Sequence, residues 1–133
     1  MKTYNSKNGD LLHICFKFEG NETSRTDICP EEQFLQVALV PMEKGKIVET
    51  HQHIKNVREI LITQESWVVV KGKIKSYYYD VDGEFLGHEE LGLGDCSVTF
   101  AGGHTCESLE EGTIIYEFKN GPYLGKSKDR ELI

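Results

Sequence analysis

Histidine and carboxylate side chains recur along this chain at spacings that suit a metal ion. His51 and His53 are two residues apart, Glu65 opens an apolar run, and His104 follows a pair of glycines. Residues two apart on a β-strand project from the same face, so the imidazoles of His51 and His53 would converge on one ion. The glycines allow the sharp turn that would bring in His104. Three imidazoles and one carboxylate predict a site for one divalent ion of iron, manganese, nickel, zinc or cobalt.

Other side chains are candidates for the wall of a ligand pocket. Trp67 and Tyr78 lie in apolar runs, where an aromatic residue usually fills the core but can also stack on a sugar ring. Cys106, two residues beyond His104, is either a buried inert thiol or a soft ligand beside the metal. These three residues extend the candidate site.

The elements that would position these residues are β-strands. Residues 11–18 alternate with a period of two, which predicts an early strand with one strongly apolar face. Further short apolar runs follow, at residues 34–40, 47–48, 57–62, 67–70, 74–79, 96–100 and 113–118. Asp82-Gly83 is a strong hairpin signal, and Pro30 with the two following glutamates predicts one helical turn. We therefore expect an all-β domain of about eight or nine strands, with a charged tail that forms a short helix or a frayed end.

Two stretches of the chain resemble the sequence motifs of the cupin family. Gly45, five residues and then His51-Gln52-His53 are similar to the first half of the first motif, and Glu65, six residues and Gly72 are similar to its second half. Residues 94–104 are similar to the second motif, with Phe100 where the family has proline and the histidine one residue early. The resemblance covers roughly residues 34–119.

The cupin resemblance implies a fold, a ligand set and a domain organisation. The fold is a single-domain jelly-roll β-barrel (double-stranded β-helix), with residues 34–120 as the barrel core. Residues 1–33 would form an N-terminal strand and connecting segment, and residues 121–133 a tail. The metal ligands would be His51, His53, Glu65 and His104. Because the gap between His53 and Glu65 is longer than usual in the family, Glu59 and Gln64 are rival ligands, with Glu65 favoured.

The composition of the chain limits the classes of binding partner and the cellular compartment that we expect. The formal net charge of −7 and a pI near 5.2 disfavour nucleic acid and anionic membranes as partners. The polar N-terminus lacks the apolar stretch of a secretory signal, so we expect a cytoplasmic protein. Its four cysteines have no zinc-type spacing and are expected to be free thiols. A strand with Val68 and Val70 opposite Trp67 would be buried on both faces, which indicates a homodimer or a cover formed by the N-terminal part of the chain.

Several functions fit this pattern. The stretch from Glu59 to Asp82 and the sequence Lys119 to Tyr123 resemble small bacterial cupins associated with surface-polysaccharide biosynthesis. This implies a sugar or nucleotide-sugar ligand and isomerase- or epimerase-type chemistry. The alternatives are a non-catalytic module that binds or senses a small ligand, an iron-dependent dioxygenase, and a metal-free enzyme that uses His51 and His53 as acid and base.

Overall fold

The hairpin signal at Asp82-Gly83 lies between two paired strands of the molecule. In the computed structural model, which describes all residues 1–133, β6 (Ile74–Tyr79) and β7 (Phe85–Leu91) are antiparallel and Gly83 has φ +87°. A residue without Cβ adopts this positive φ at no steric cost, so the turn can close. The sequence prediction of a hairpin here is confirmed.

Ten strands form two large antiparallel sheets and one short ribbon. The five-stranded sheet has the order β1-β2-β8-β5-β10, and the three-stranded sheet has the order β7-β6-β9. The ribbon pairs β3 with β4. The bounds of the remaining strands are β1 Lys2–Asn5, β2 Leu11–Phe16, β3 Thr26–Asp27, β4 Ala38–Leu39, β5 Glu65–Lys71, β8 Cys96–Thr99, β9 His104–Ser108 and β10 Ile114–Lys119.

Apolar side chains fill the two sides of the five-stranded sheet separately. On its outer face, Ile14, Phe16 and Val98 pack with residues of the 28–39 stretch. On its inner face, Val69 packs against Tyr78 of the three-stranded sheet. Alternation along each strand sends successive side chains to opposite faces, which is how one strand serves both cores. The molecule is thus an all-β protein whose two sheets face each other as in a sandwich.

Two expectations about local structure are wrong. Residues 47–48 and 57–62 form no strand, although their sequences are apolar and rich in β-branched residues. They make no pairing contact with either sheet, and strand propensity without a paired neighbour does not form a strand. Pro30 begins a turn closed by the Gln33 amide and the Pro30 carbonyl (3.1 Å), rather than a helix.

The strands β1, β3 and β9 were missed because their sequences are polar. β1 pairs along its length with β2, and its one buried side chain, Tyr4, joins the inner core. The only helix, α1, is the short Lys126–Asp129 in the tail. No helix has the length and apolar character needed to cross a membrane.

Candidate functional site

The inner face of the five-stranded sheet carries polar side chains at one end. Glu65 and Trp67 alternate along β5, and β10 places Lys119 opposite Glu65 and Glu117 opposite Trp67. Antiparallel partners lie on the same face of a sheet, so these four side chains form one cluster. Glu65 and Trp67 are largely buried, whereas Glu117 and Lys119 are more exposed. The cluster therefore lies at the mouth of the space between the sheets.

His104 reaches this cluster from the opposite sheet. The turn before it contains Gly102 at φ +81°, where an added Cβ would lie 2.4 Å from the Tyr79 carbonyl oxygen. Only glycine fits such a close approach. Beyond the turn, β9 pairs with β6 and places His104 Nε2 3.7 Å from Glu65 Oε1. The imidazole centroid lies 5.1 Å from that of the Trp67 indole. The predicted neighbours Glu65 and His104 are thus brought together.

The imidazole of His104 makes no hydrogen bond. Its Nδ1 is buried without a partner, and the 3.7 Å from Nε2 to Glu65 exceeds hydrogen-bonding distance. A buried polar atom in this state costs on the order of 1–3 kcal/mol, and it often marks a position where a ligand or ion belongs. Metal–ligand bonds of about 2.1 Å allow two ligand atoms to lie at most about 4.2 Å apart. Glu65 and His104 therefore fit a shared transition-metal ion.

Lys119 provides the positive charge of the cluster. Its Nζ lies 2.8 Å from Glu117 Oε1 and 3.9 Å from Glu65 Oε2. The hydrogen bond with Lys119 lowers the pKa of Glu117, and the same contact raises the pKa of Lys119. The Trp67 indole N–H donates to Glu117 Oε2 at 3.3 Å. Glu117 and Lys119 are site residues that the sequence analysis missed, although their alternation with Tyr116 and Phe118 placed them on one face of a strand.

A second polar group lies deeper between the sheets. Tyr78 is fully buried, and its hydroxyl lies 2.7 Å from Cys15 Sγ. His13 is fully buried, and its ring centroid lies 5.0 Å from that of Tyr78. Burial raises the pKa of the Cys15 thiol to about 11, so this thiol is unreactive at neutral pH. These residues form the floor of the site rather than its reactive part.

Cys106 lies between the floor and the mouth. It is half-buried, two residues beyond His104 on β9 and opposite Ser76 of β6. Burial first, and then the charges of Glu65 and Glu117, raise the pKa of its thiol. The thiol therefore stays protonated at neutral pH when no cation is bound.

His51 and His53 lie outside this site. Both are exposed in a stretch without strand structure, and the expectation that a strand carries them is wrong. Their ring centroids are 5.4 Å apart, and His51 Nδ1 lies 2.7 Å from the Glu49 carbonyl oxygen. No three His, Cys, Asp or Glu side chains are grouped closely enough to hold a metal ion. In this conformation the chain brings together two of the four expected ligands.

The rival ligands Glu59 and Gln64 are also elsewhere. Glu59 is exposed in the same stretch as the histidine pair. Gln64 is buried, but its side chain accepts a hydrogen bond from the Leu35 amide at 2.8 Å and donates one to Gln33 at 2.8 Å. It precedes Glu65 on the chain and so points to the opposite side of the sheet. Gln64 therefore anchors the 33–35 stretch, and Glu65 is the carboxylate at the site.

Comparison of the chain with protein-family models, with curated proteins and with solved structures gives no match.

Proposed function

We propose that the protein is a cupin-type metalloprotein, a jelly-roll barrel in which Glu65 and His104 hold one divalent transition-metal ion. His51 and His53 complete the ligand set when their segment closes on the site. The approach of Glu65 to His104, whose imidazole has no hydrogen-bond partner, carries the proposal. A metal bond to Nε2, the imidazole nitrogen that faces Glu65, would give His104 a partner on this side of the ring. The cupin-like motifs around His51 and Glu65 support the same ligand set.

The ligand of this site is a small polar molecule, such as a sugar or a nucleotide sugar. A bound divalent ion would polarise carbonyl or hydroxyl oxygens of that ligand. The ammonium group of Lys119 donates hydrogen bonds to its oxygens, and the ionised Glu117 accepts hydrogen bonds from its hydroxyls. The Trp67 ring provides a flat apolar surface for a sugar ring. This set of groups suits isomerase- or epimerase-type chemistry in polysaccharide metabolism.

A non-catalytic binding module is the second candidate. The observation that favours it is the position of Lys119, 3.9 Å from Glu65, because its ammonium group neutralises this carboxylate without a metal. In that role the cluster binds a polar ligand through hydrogen bonds alone. If the protein is a metalloprotein, its metal content and its affinity for the polar ligand both depend on Glu65 as a metal ligand. If it is a non-catalytic module, neither depends on Glu65 in this way.

The cytoplasm is the proposed location. Cys15, Cys29 and Cys96 are buried free thiols and Cys106 is a half-buried one, and thiols persist in this form in a reducing compartment. We also propose that the protein is a homodimer whose partners include neither nucleic acid nor membrane, in keeping with its negative charge.

Metal content per chain tests the proposal. The wild-type protein, purified without added metal and then titrated with Fe(II), Mn(II), Ni(II), Zn(II) and Co(II), is expected to hold about one ion per chain. Metal at 100 times its Kd should raise the free energy of unfolding by about 2.7 kcal/mol. Stoichiometric iron would direct substrate screens to dioxygenase reactions as well as to sugars.

Two matched carboxylate variants identify the ligand. Glu65→Gln removes the carboxylate at the site, and we expect at least a ~100-fold loss of metal affinity because a direct ligand is lost. Glu59→Gln removes a carboxylate that is exposed and distant from His104, and it should leave the affinity unchanged. Equal effects of the two substitutions would contradict the assignment. A wild-type protein that binds none of the five ions would leave the non-catalytic module and the metal-free enzyme that uses His51 and His53 as acid and base.

A further inference from the structure

Residues 41–62 form a long stretch without secondary structure, which we call the histidine segment because it carries His51 and His53. It has one turn, closed by the Lys46 amide and the Glu43 carbonyl at 3.1 Å, and residues 47–61 make no hydrogen bond between backbone groups. Connections without structure are seldom longer than about 12–15 residues in compact domains unless they are functional. The length of the histidine segment is therefore typical of a functional loop or of a linker.

The histidine segment exposes several large apolar side chains to solvent. Val57 is fully exposed, and the exposed fractions of Ile47 and Leu61 are 86% and 85%. Val48, Ile54 and Ile62 are also more than half exposed. Each such side chain carries on the order of 100 Å² of apolar surface, so the six together expose roughly 500 Å². Concentrated exposed apolar surface marks an interaction site.

The folded body has an uncovered apolar face beside the candidate site. Tyr116 and Phe118 of β10 pair with Val68 and Ser66 of β5, so they lie on the outer face of the five-stranded sheet. The 28–39 stretch covers that face as far as β5, where Val68 joins the outer core. Beyond it, Tyr116 and Phe118 are 62% and 52% exposed. These aromatic rings add about 200 Å² of unpartnered surface.

β9 and β10, which carry His104 and Glu117, are both edge strands. An unpaired edge presents backbone N–H and C=O groups to which another strand can pair. A strand added at an edge lengthens the sheet but does not cover its outer face. If the segment of the same chain paired there, Tyr116 and Phe118 would stay exposed, whereas a second copy can supply both a strand and a covering surface.

We propose that two copies of this chain exchange their histidine segments, each segment pairing at the β9–β10 opening of the other copy, while the two bodies cover the Tyr116 and Phe118 of each other. His51 and His53 of one copy would then reach Glu65 and His104 of the other, so each metal site draws ligands from both chains. This part rests on the proposed function. The exchange is symmetric, and each copy buries roughly 700 Å² of apolar surface, close to the ~800 Å² per partner of a stable interface.

The mass in solution tests the exchange without reference to metal. Sedimentation equilibrium of the metal-free wild-type protein at micromolar concentration is expected to show a dimer. Ile54, Val57 and Leu61 are each at least 77% exposed, so replacing all three by serine leaves the body intact. This variant should dimerise at least ~100-fold more weakly, because the exchanged segment loses its apolar contacts. The control Leu132→Ser changes an equally exposed leucine (96%) in the tail and should stay dimeric.

Heterodimers show which chain supplies each ligand. One chain carries His51→Ala and His53→Ala, and the other carries Glu65→Gln and His104→Ala. Neither binds metal as a homodimer. In an exchanged heterodimer, isolated through two different affinity tags, one site has four wild-type ligands and the other has none. We expect about one ion per heterodimer.

Each result decides between exchange and closure within one chain. A monomeric wild-type protein, or a triple serine variant as dimeric as the wild type, overturns the exchange. A heterodimer without metal, when the wild type holds about one ion per chain, overturns the exchange but leaves the proposed metal site in place. A wild-type protein that binds no metal removes the proposed function, and the two mass measurements then decide the exchange alone.

Discussion

Buried His13 makes the stability of the protein dependent on pH. Its Nε2 lies 3.0 Å from the Tyr79 carbonyl oxygen, and its Nδ1 lies 3.0 Å from Thr99 Oγ1. A carbonyl oxygen can only accept a hydrogen bond, so Nε2 carries the proton and Nδ1 accepts from the threonine hydroxyl. The folded site thus holds the neutral imidazole, and a second proton would place a charge between the sheets.

Burial lowers the pKa of His13 from 6.5 to about 4, with the nearby His104 acting in the same direction and the Tyr79 carbonyl and Asp80 opposing it. The unfolded chain therefore takes up this proton near pH 6.5 and the folded protein only near pH 4. Stability is expected to fall as the pH is lowered through this window, by up to ~1.36 kcal/mol per pH unit. The loss amounts to about 2 kcal/mol between pH 6.5 and 5, and about 3 kcal/mol over the whole window.

Urea unfolding followed by the fluorescence of Trp67, the single tryptophan, measures this loss at pH 7, 6 and 5. The His13→Gln variant is the comparison, since its amide can donate to the Tyr79 carbonyl but does not titrate. It should be less stable than the wild type at pH 7, and its stability should fall about 2 kcal/mol less between pH 7 and 5. The carboxylates and the other histidines titrate in both proteins and cancel in the comparison. Parallel pH profiles would refute the argument.

Two further substitutions test the turn before His104 and the floor of the site. Gly102→Ala places a Cβ 2.4 Å from the Tyr79 carbonyl, whereas Gly83→Ala has a similar positive φ and meets nothing within 4 Å. Gly102→Ala should therefore lower the free energy of unfolding, measured in urea, by about 1–3 kcal/mol more than Gly83→Ala does. Equal losses would show that the turn shifts to accommodate the added Cβ. Tyr78→Phe removes a buried hydroxyl bonded to Cys15 and is expected to cost about 1–3 kcal/mol. Tyr77→Phe, whose hydroxyl meets Glu107 at the surface, should change thermal stability by less than about 0.5 kcal/mol, and a similar cost for both would contradict the role of burial.

Local sequence patterns were sufficient for the strands that alternate clearly or follow a tight turn. Residues 11–16 form a strand in which apolar side chains recur at every second position, and residues 74–79 form a strand that the Asp82-Gly83 turn pairs with β7. The same reasoning failed at residues 57–62, whose composition is equally suited to a strand. The difference is pairing: β6 has partners on both sides, and residues 57–62 have none.

The candidate site also has one part that the sequence determined and one part that depends on the tertiary structure. The sequence by itself determined which residue types are available, a carboxylate at Glu65 and an imidazole at His104, and that glycines allow the turn before the histidine. Only the tertiary structure decided that these two approach to 3.7 Å, because that distance depends on β5 and β9 lying in sheets that face each other. The spacing of His51 and His53 promised a shared face only if their segment were a strand. Strand formation requires a neighbouring strand with which to form hydrogen bonds. In this structure residues 51–53 have no such neighbour and form no strand.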